Sequence, residues 1–561
     1  MCGIFTYIKK GKITDDEING CLFQSKLLKH RGPDSFGSIV KDNIFFSLNR
    51  LSINDLSVNG NQPFTFEKYI LVFNGEIYNF KYLKKKLLEK NIIFKSESDT
   101  EVLLHILINY GSEGLKLVNG MFSFIFYDGE KIMCSSDIFG EKTLYYYQDD
   151  KKIIFSSELI GLSNYTTKDF NEDKLFSYFS FGHLIDEQTF YKKVKKILPG
   201  EVLIIDKDLK INTFKYFSIT DHYKSNKNKN IVTKEDLIEL DDILTKNFQN
   251  KCIGDRGKTL LFSGGLDSFV VSKYLKDKEN INFIFFDDKR TNLDPNIQNY
   301  FNNRIYIESI KESNFLPSNI IKIFGQPHHS YSSLAYQAMC AKINVTKNCI
   351  ALSGLGGDEI FMGYNKFFDK KKNFLSRIKF FVKEKLSKLD KKILYLLSKN
   401  DSVFCLLQHP KYFNWLHDKF LKKYNEFSQL EKLYFSEIEV FMPSSRCVVL
   451  DHSSMSQGVE MRSCFLDIDI LKWILNFDLE IIQSLGPKKI LLNLLSEKEK
   501  NFFVNYKKKP FSQFSKKLID NRAVTNNIYD PINSIFKLKS HPKKSIKLKN
   551  YEQLQILSEF V

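Results

Sequence analysis

The chain has 561 residues, 43% of them hydrophobic and 27% charged, with a formal net charge of +17. That length allows two or three domains with sizeable cores, and the composition excludes a disordered or fibrous chain. The lysines are spread along the whole length, which reads as a solvated surface attractive to small anions and speaks against a dedicated nucleic-acid face.

Up to about Phe217 the sequence is a succession of short β-rich runs: Ile44 to Leu48, Tyr69 to Phe73, Phe122 to Tyr127, Lys131 to Ser135, Leu144 to Tyr147, Ile153 to Ser156 and Val202 to Ile205. Helical stretches intervene at Phe80 to Glu89 and Thr100 to Tyr110, a pattern that predicts an α+β layered unit over residues 1–217. The polar segment Thr220 to Asn230 reads as a linker, placed at 218–232. Beyond it the texture becomes strand–helix alternation. A helix at Asp236 to Phe248 leads to a buried strand at Thr259 to Phe262, then a helix at Asp267 to Leu275. A strand at Ile281 to Phe286, a helix at Ser333 to Ile343 and a strand at Cys349 to Leu352 follow. This predicts an α/β unit with a doubly wound parallel sheet over 233–520, its later part helical from about Phe367 to Ile519. A Lys-rich tail over 521–561 closes the chain, and no internal repeat is visible.

Nine scattered cysteines without a C-x-x-C pair signal neither a disulfide framework nor a zinc site, and fit a reducing, cytoplasmic setting. The start, Met1-Cys2-Gly3-Ile4, turns charged by Lys9, too early for the core of a signal peptide. The strongest apolar runs have strand length, so no membrane span is expected.

The sharpest local signal is Phe262-Ser263-Gly264-Gly265-Leu266-Asp267-Ser268, where a buried strand meets a helix. Glycines let backbone N–H groups approach an anion, and the helix start adds partial positive charge. It is not a Walker A loop, because Gly257-Lys258-Thr259 precedes the strand and Cys252 stands where that loop needs glycine. A lone Ser-Gly-Gly is equally an ordinary turn. A second cluster, Ser353-Gly354-Leu355-Gly356-Gly357-Asp358-Glu359, again follows a strand, where an α/β sheet places ligands. Its bland reading is a glycine-rich turn with an N-capping Asp358.

Cys2 is the other candidate. Removal of Met1 would leave a thiol beside a free α-amine, a complete nucleophile–base pair, although a cysteine at position 2 is by itself usually incidental. Cys2-Gly3-Ile4, His30-Arg31-Gly32-Pro33-Asp34, Arg50-Leu51-Ser52-Ile53, Asn74-Gly75-Glu76-Ile77-Tyr78-Asn79 and Ser98-Asp99-Thr100-Glu101 occur in this order. Together they resemble the glutaminase domain of the amino-terminal-nucleophile amidotransferases, specifically of the glutamine-hydrolysing asparagine synthetase family. The resemblance runs on through Phe139-Gly140-Glu141-Lys142-Thr143-Leu144-Tyr145-Tyr146, Ser156-Ser157-Glu158-Leu159 and Leu198-Pro199-Gly200 to Gly458-Val459-Glu460-Met461-Arg462 and Phe465-Leu466-Asp467. The Ser263 string resembles the pyrophosphate-binding loop of the ATP pyrophosphatase synthetases.

The resemblance implies Cys2 as nucleophile, with Asn74 and Gly75 as its oxyanion hole. It implies glutamine contacts from Arg50, Ile53, Glu76 and Asp99, Arg50 holding the α-carboxylate and Asp99 the α-ammonium. It implies ATP contacts at Phe262, Ser263, Gly264, Gly265, Asp267, Ser268, Phe286, Ser353, Gly354 and Lys488, and Mg²⁺ on Asp267 and Asp358. Taken singly, Arg50 and Asp99 are also readable as a structural ion pair, and Asn74-Gly75 as a hairpin turn. The implied reaction amidates a carboxylate, aspartate to asparagine first, with small-molecule partners, no nucleic acid and no membrane; homodimerisation stays open. The best-known asparagine synthetases carry Glu where Leu355 stands, and the family's Arg and its more usual acidic-Pro pattern are replaced here by Leu492 and by Gln326-Pro327-His328-His329. Another carboxylate, such as a sugar uronate, is therefore the alternative acceptor, and a non-catalytic relic of the fold is the alternative of another kind.

Overall fold

The computed structural model describes residues 2–275, 281–287, 305–309, 317–330, 332–345, 348–368 and 422–503, with isolated positions at 299 and between 553 and 560. The Lys-rich tail, apart from those last positions, and residues 369–421 of the expected helical part lie outside the described residues.

The amino-terminal unit is built on two six-stranded sheets, antiparallel throughout. One has the order Val194–Lys196, Tyr145–Gln148, Lys152–Ser156, Cys2–Lys9, Ile44–Arg50, Ser35–Lys41. The other has the order Ile211–Lys215, Glu201–Ile205, Ile132–Ser136, Gly120–Tyr127, Tyr69–Ile77, Phe64–Phe66. Ile4, Ile8, Phe46 and Leu48 of the first face Ile70, Val72, Ile125 and Leu203 of the second in one apolar core. Outside, the helix Asp15–Lys26 covers Phe5, Tyr7 and Phe45, and the helices Phe80–Leu88 and Asp99–Tyr110 cover Leu71, Phe73 and Phe124. The strand Cys2–Lys9 is covered on both faces. That explains its unbroken apolar spelling, which carries no alternation to mark it as a strand.

The carboxy-terminal unit holds a five-stranded parallel sheet ordered Ile305–Ser309, Ile281–Asp287, Lys258–Phe262, Ile350–Ser353, Glu460–Ser463. In sequence order this is 3-2-1-4-5, so the direction of winding reverses between Lys258–Phe262 and Ile350–Ser353. The carboxyl ends of strands flanking such a reversal form the crevice where α/β sheets bind ligands. Both glycine clusters start there. The expected β-α-β reading holds, and the sheet adds two strands that sequence patterning did not mark, Ile305–Ser309 and Glu460–Ser463.

The supposed linker is corrected in one respect. Its polar stretch folds as a helix, Ile219–Asn226, capped by Ser218. Ile219 and Tyr223 lie four apart on its buried face, and the Tyr223 hydroxyl donates to Glu431 at 2.7 Å. Two apolar anchors suffice to dock a segment whose overall composition is hydrophilic.

The helix Lys234–Asn250 covers the parallel sheet through Leu240, Leu244 and Phe248. Phe248 makes edge contacts with Tyr274 at 5.6 Å and Phe465 at 5.2 Å between ring centroids. Among the described residues no helix is long and apolar enough to cross a membrane. Phe248→Ala is expected to cost about 3–5 kcal/mol, the usual range for emptying a packed aromatic site. Urea unfolding checks this, and an unchanged midpoint would show that the helix does not depend on this contact.

Candidate active sites

Strand register brings the first cluster together. Cys2 lies opposite Arg50 across the antiparallel pair. Its backbone nitrogen donates to Asn74 Oδ1 at 2.8 Å from the facing sheet. That bond fixes the orientation of the Asn74 amide, whose Nδ2 is buried without a partner among the described residues. An unmet buried donor costs roughly 1–3 kcal/mol, so its retention beside a thiol points to a ligand oxygen. Asn74 and Gly75 lie inside the strand Tyr69–Ile77, which removes the hairpin-turn alternative. A Cβ on Gly75 would stand 2.1 Å from the Met121 carbonyl, so only glycine permits this strand approach.

Arg50 and Asp99 do not pair with each other. The Arg50 guanidinium donates to the carbonyls of Asn54, Asp55 and Ser57 and to Asn61 Oδ1, at 2.5–3.2 Å. The loop wraps so closely that a Cβ on Gly60 would meet Arg50 Nη2 at 2.3 Å. Asp99 is the first residue of a helix capped by Ser98, and its carboxylate accepts from the Ile77 N–H at 3.0 Å. Ile53 is buried, and its carbonyl accepts from Asp255 at 2.9 Å.

The pocket is rich in buried carboxylates. Glu76 accepts from Asn54 at 2.7 Å and lies 3.4 Å from Arg462, which in turn donates to Glu460 at 2.7 Å. Burial, reinforced by Glu460, pushes Glu76 well above the usual carboxylate range. Burial likewise raises Asp99 to about 6, against the pull of the Ile77 N–H. Burial raises the Cys2 thiol too, opposed by the Leu51 backbone and Arg50. Three carboxylates, Glu76, Asp99 and Glu460, share the field of one internal arginine, Arg462.

Arg31 ties this pocket to the other unit. Fully buried, it donates through Nε to the Cys2 carbonyl at 3.1 Å, through Nη1 to Glu158 at 2.6 Å and through Nη2 to Asp451 at 2.9 Å.

The second cluster forms at the crevice. Ser263 N–H and Oγ both meet Ser268 Oγ, at 3.1 and 3.0 Å, closing the loop over Gly264, which has φ +73°. Gly354 packs on this loop, where a Cβ would stand 3.0 Å from Asp267 Cβ and from the Ser268 nitrogen. Lys488 donates to both Asp267 oxygens at 2.7 and 2.6 Å and pairs with Asp358. It does so from a left-handed backbone, φ +50°, uncommon for a residue with a Cβ. Gly363 leaves it room, since a Cβ there would lie 2.2 Å from Lys488 Cε. Asp358 stands in the first turn of the short helix Gly357–Ile360, whose cap is Gly356, so the N-capping alternative is set aside. Phe262 ends its strand and Ser353 the neighbouring one, while Phe286 lies on the strand Ile281–Asp287 with its side chain outside the described residues.

Leu355 follows these groups, half-buried, its N–H donating to Ser353 Oγ at 3.1 Å and its side chain packed against the apolar cluster that includes Ile284, Met339 and Met461. Leu492 joins the main core of this unit, and Gln326 accepts from the Phe190 N–H at 3.0 Å across the two units.

Residues 1–217 match the family model described as a glutamine amidotransferase domain, and residues 239–534 match the one described as asparagine synthase. The chain belongs to the asparagine synthase family. A "Putative asparagine synthetase [glutamine-hydrolyzing] 2" of Methanocaldococcus jannaschii is 30% identical over 403 residues, 65% of this chain and 76% of its own. "Asparagine synthetase [glutamine-hydrolyzing] 1" of Bacillus subtilis is 28% identical over 546 residues, 89% of this chain and 84% of its own. "Amidase chry2" of Gibberella zeae is 28% identical over 288 residues, 48% of this chain and 42% of its own. Family membership makes the chain an ATP-dependent carbon–nitrogen ligase that hydrolyses glutamine for its nitrogen.

Arg31, Glu460 and Arg462 lie in family-like strings, yet nothing in the sequence marks their role in the site. No periodicity or spacing announces that Arg462 meets Glu76, because that contact crosses the whole chain and depends on how the two units dock. The raised Asp99 gives a pH signature for this family member. Only ionised Asp99 attracts an ammonium group, so the KM for glutamine should be flat above about pH 6 and rise about tenfold per unit below it. Initial-rate glutaminase assays between pH 5 and 8 check this; a flat KM would remove Asp99 from ammonium binding.

Proposed function

We propose that this chain converts aspartate, glutamine and ATP to asparagine, glutamate, AMP and pyrophosphate, with residues 1–217 releasing ammonia and 233–520 activating the acceptor. The observation that carries the first half is the Cys2–Asn74 pair: one amide holds the Cys2 nitrogen and leaves a buried donor open beside the thiol.

With Met1 removed, that nitrogen is an α-amine. It takes the Cys2 proton as sulfur attacks the glutamine side-chain amide carbon, and Asn74 Nδ2 and the Gly75 N–H stabilise the oxyanion. The proton passes to the leaving nitrogen, ammonia departs, and water cleaves the thioester to glutamate. Arg50 and Asp99 hold the α-carboxylate and α-ammonium, and Ile53 and Glu76 complete the glutamine pocket. Burial of the site limits protonation of the released ammonia.

In the second half the acceptor carboxylate attacks the α-phosphorus of ATP and pyrophosphate leaves. The loop from Phe262 to Ser268, with Ser353, Gly354 and Phe286, cradles the nucleotide, and Lys488 offsets phosphate charge. Ammonia then attacks the acyl carbon and AMP departs. Asp267 and Asp358 suit Mg²⁺, which takes one or two carboxylates and fills its other positions with phosphate and water oxygens. Mg²⁺ bound there would neutralise phosphate charge. Among the described residues no set of three protein ligands competes with this pair.

Leu355 favours a second reading of the acceptor. An aliphatic side chain packed against an apolar cluster offers no partner to an amino group, so a carboxylate without one, such as a sugar uronate, is the alternative.

Purified protein should release pyrophosphate from ATP only with its true acceptor, and aspartate and uronates are the pair to compare. Cys2→Ala should lower glutamine-dependent synthesis at least ~10³-fold and leave ammonium-dependent synthesis within about twofold, whereas Asp267→Asn should lower both syntheses and leave glutamine hydrolysis measurable. Loss of both activities in a folded Cys2→Ala protein would refute the division of labour. Absence of pyrophosphate release with every carboxylate would favour the relic.

A further inference from the structure

The amino-terminal pocket is not closed by its own unit. Its rear wall is the helix Cys447–Met455 and the strand Glu460–Ser463 of the carboxy-terminal unit, which reach it through Asp451 and Arg462. Asp451 is buried and receives two cations from the amino-terminal unit: Arg31 Nη2, on both oxygens at 3.2 and 2.9 Å, and Lys142 Nζ at 3.0 Å. Beside it, His452 Nε2 lies 3.1 Å from Thr143 Oγ1. The same Arg31 holds the Cys2 carbonyl at 3.1 Å and Glu158 at 2.6 Å, and Glu158 is also engaged by His30 at 2.9 Å.

We infer that Asp451 is a positioning residue for the glutaminase nucleophile, acting on Cys2 through Arg31. This rests on the assignment of Cys2 as nucleophile. The guanidinium is planar and rigid, so the direction of its Nε–H toward the Cys2 carbonyl is set by where its two Nη groups are anchored. Glu158 anchors one from within the amino-terminal unit, and Asp451 anchors the other from the opposite unit. Without the second anchor Arg31 pivots about Glu158, and the terminal residue loses its fixed register against Asn74. A shift of that size between nucleophile and oxyanion donor falls on turnover more than on binding, because Arg50 and Asp99, which hold the substrate's main-chain groups, are untouched.

Asp451 also lies on the path toward the nucleotide crevice. Its helix turns through Gly458 into the strand Glu460–Ser463, which pairs with Ile350–Ser353, the strand ending at the second glycine cluster. The contact is therefore placed to make glutamine hydrolysis depend on the docked state of the synthetase unit.

The full-length chain tests this with Asp451→Asn and Asp451→Glu, measuring glutaminase kcat and KM, ammonium-dependent pyrophosphate release and melting temperature. Asp451→Asn should lower glutaminase kcat at least ~10-fold with KM for glutamine within about twofold and ammonium-dependent release within about twofold; Asp451→Glu should recover most of kcat. A rise in KM alone, unchanged glutaminase kcat, or parallel loss of both activities with a collapsed melting transition in both variants would overturn the inference. The Cys2 assignment is judged separately, by whether Cys2→Ala abolishes glutamine hydrolysis in the otherwise unaltered chain.

Discussion

The structure hangs on the register of its first strand. Cys2–Lys9 runs through the middle of a sheet, paired along one edge from Cys2 and along the other from Phe5, and its first residue is held by Asn74 on its nitrogen and Arg31 on its carbonyl. A chain end is normally the least ordered part of a domain unless it is tied into a sheet. Here it is tied, and what the strand delivers is a thiol and a backbone nitrogen at a fixed distance from Asn74. Every other element of the first site takes its meaning from that point.

A second constraint is the charge buried where the two units meet. Arg31, Asp451, Lys142, Glu158, Glu76, Glu460 and Arg462 are all removed from solvent. Such charges add little net stability when paired, because desolvation consumes most of the attraction, yet losing one partner strands the other at a cost of about 3–5 kcal/mol. A seam of this kind is poor as glue and good as a template, since only one docking geometry pairs every group. It also leaves the pocket with more buried carboxylates than cations around Glu76, Asp99 and Glu460.

Much of this was legible in the sequence, and the illegible part has a physical reason. The Ser263-Gly264-Gly265 loop announced itself because its pattern is local: glycines, a strand before, a helix after. Lys488 was less readable, since an exposed-looking lysine becomes a partner of Asp267 only when a left-handed turn delivers it from more than two hundred residues away. The helix Ile219–Asn226 was missed because composition overwhelmed its two apolar anchors. The strand Glu460–Ser463 was missed for the opposite reason: Glu460 and Arg462 look solvent-facing, and they are buried because each meets the other and the far unit. The anchoring of Arg31 had no sequence signal beyond its place in His30-Arg31-Gly32-Pro33-Asp34.

The central claim is that glutamine is opened by the thiol of Cys2 beside its own terminal amine. The direct measurement is mass spectrometry of the purified protein quenched in acid during glutamine turnover. The amino-terminal peptide should begin at Cys2, without Met1, and carry a γ-glutamyl group in thioester linkage on that residue. An active protein that retains Met1, or a glutamyl adduct on any other residue, would contradict the account.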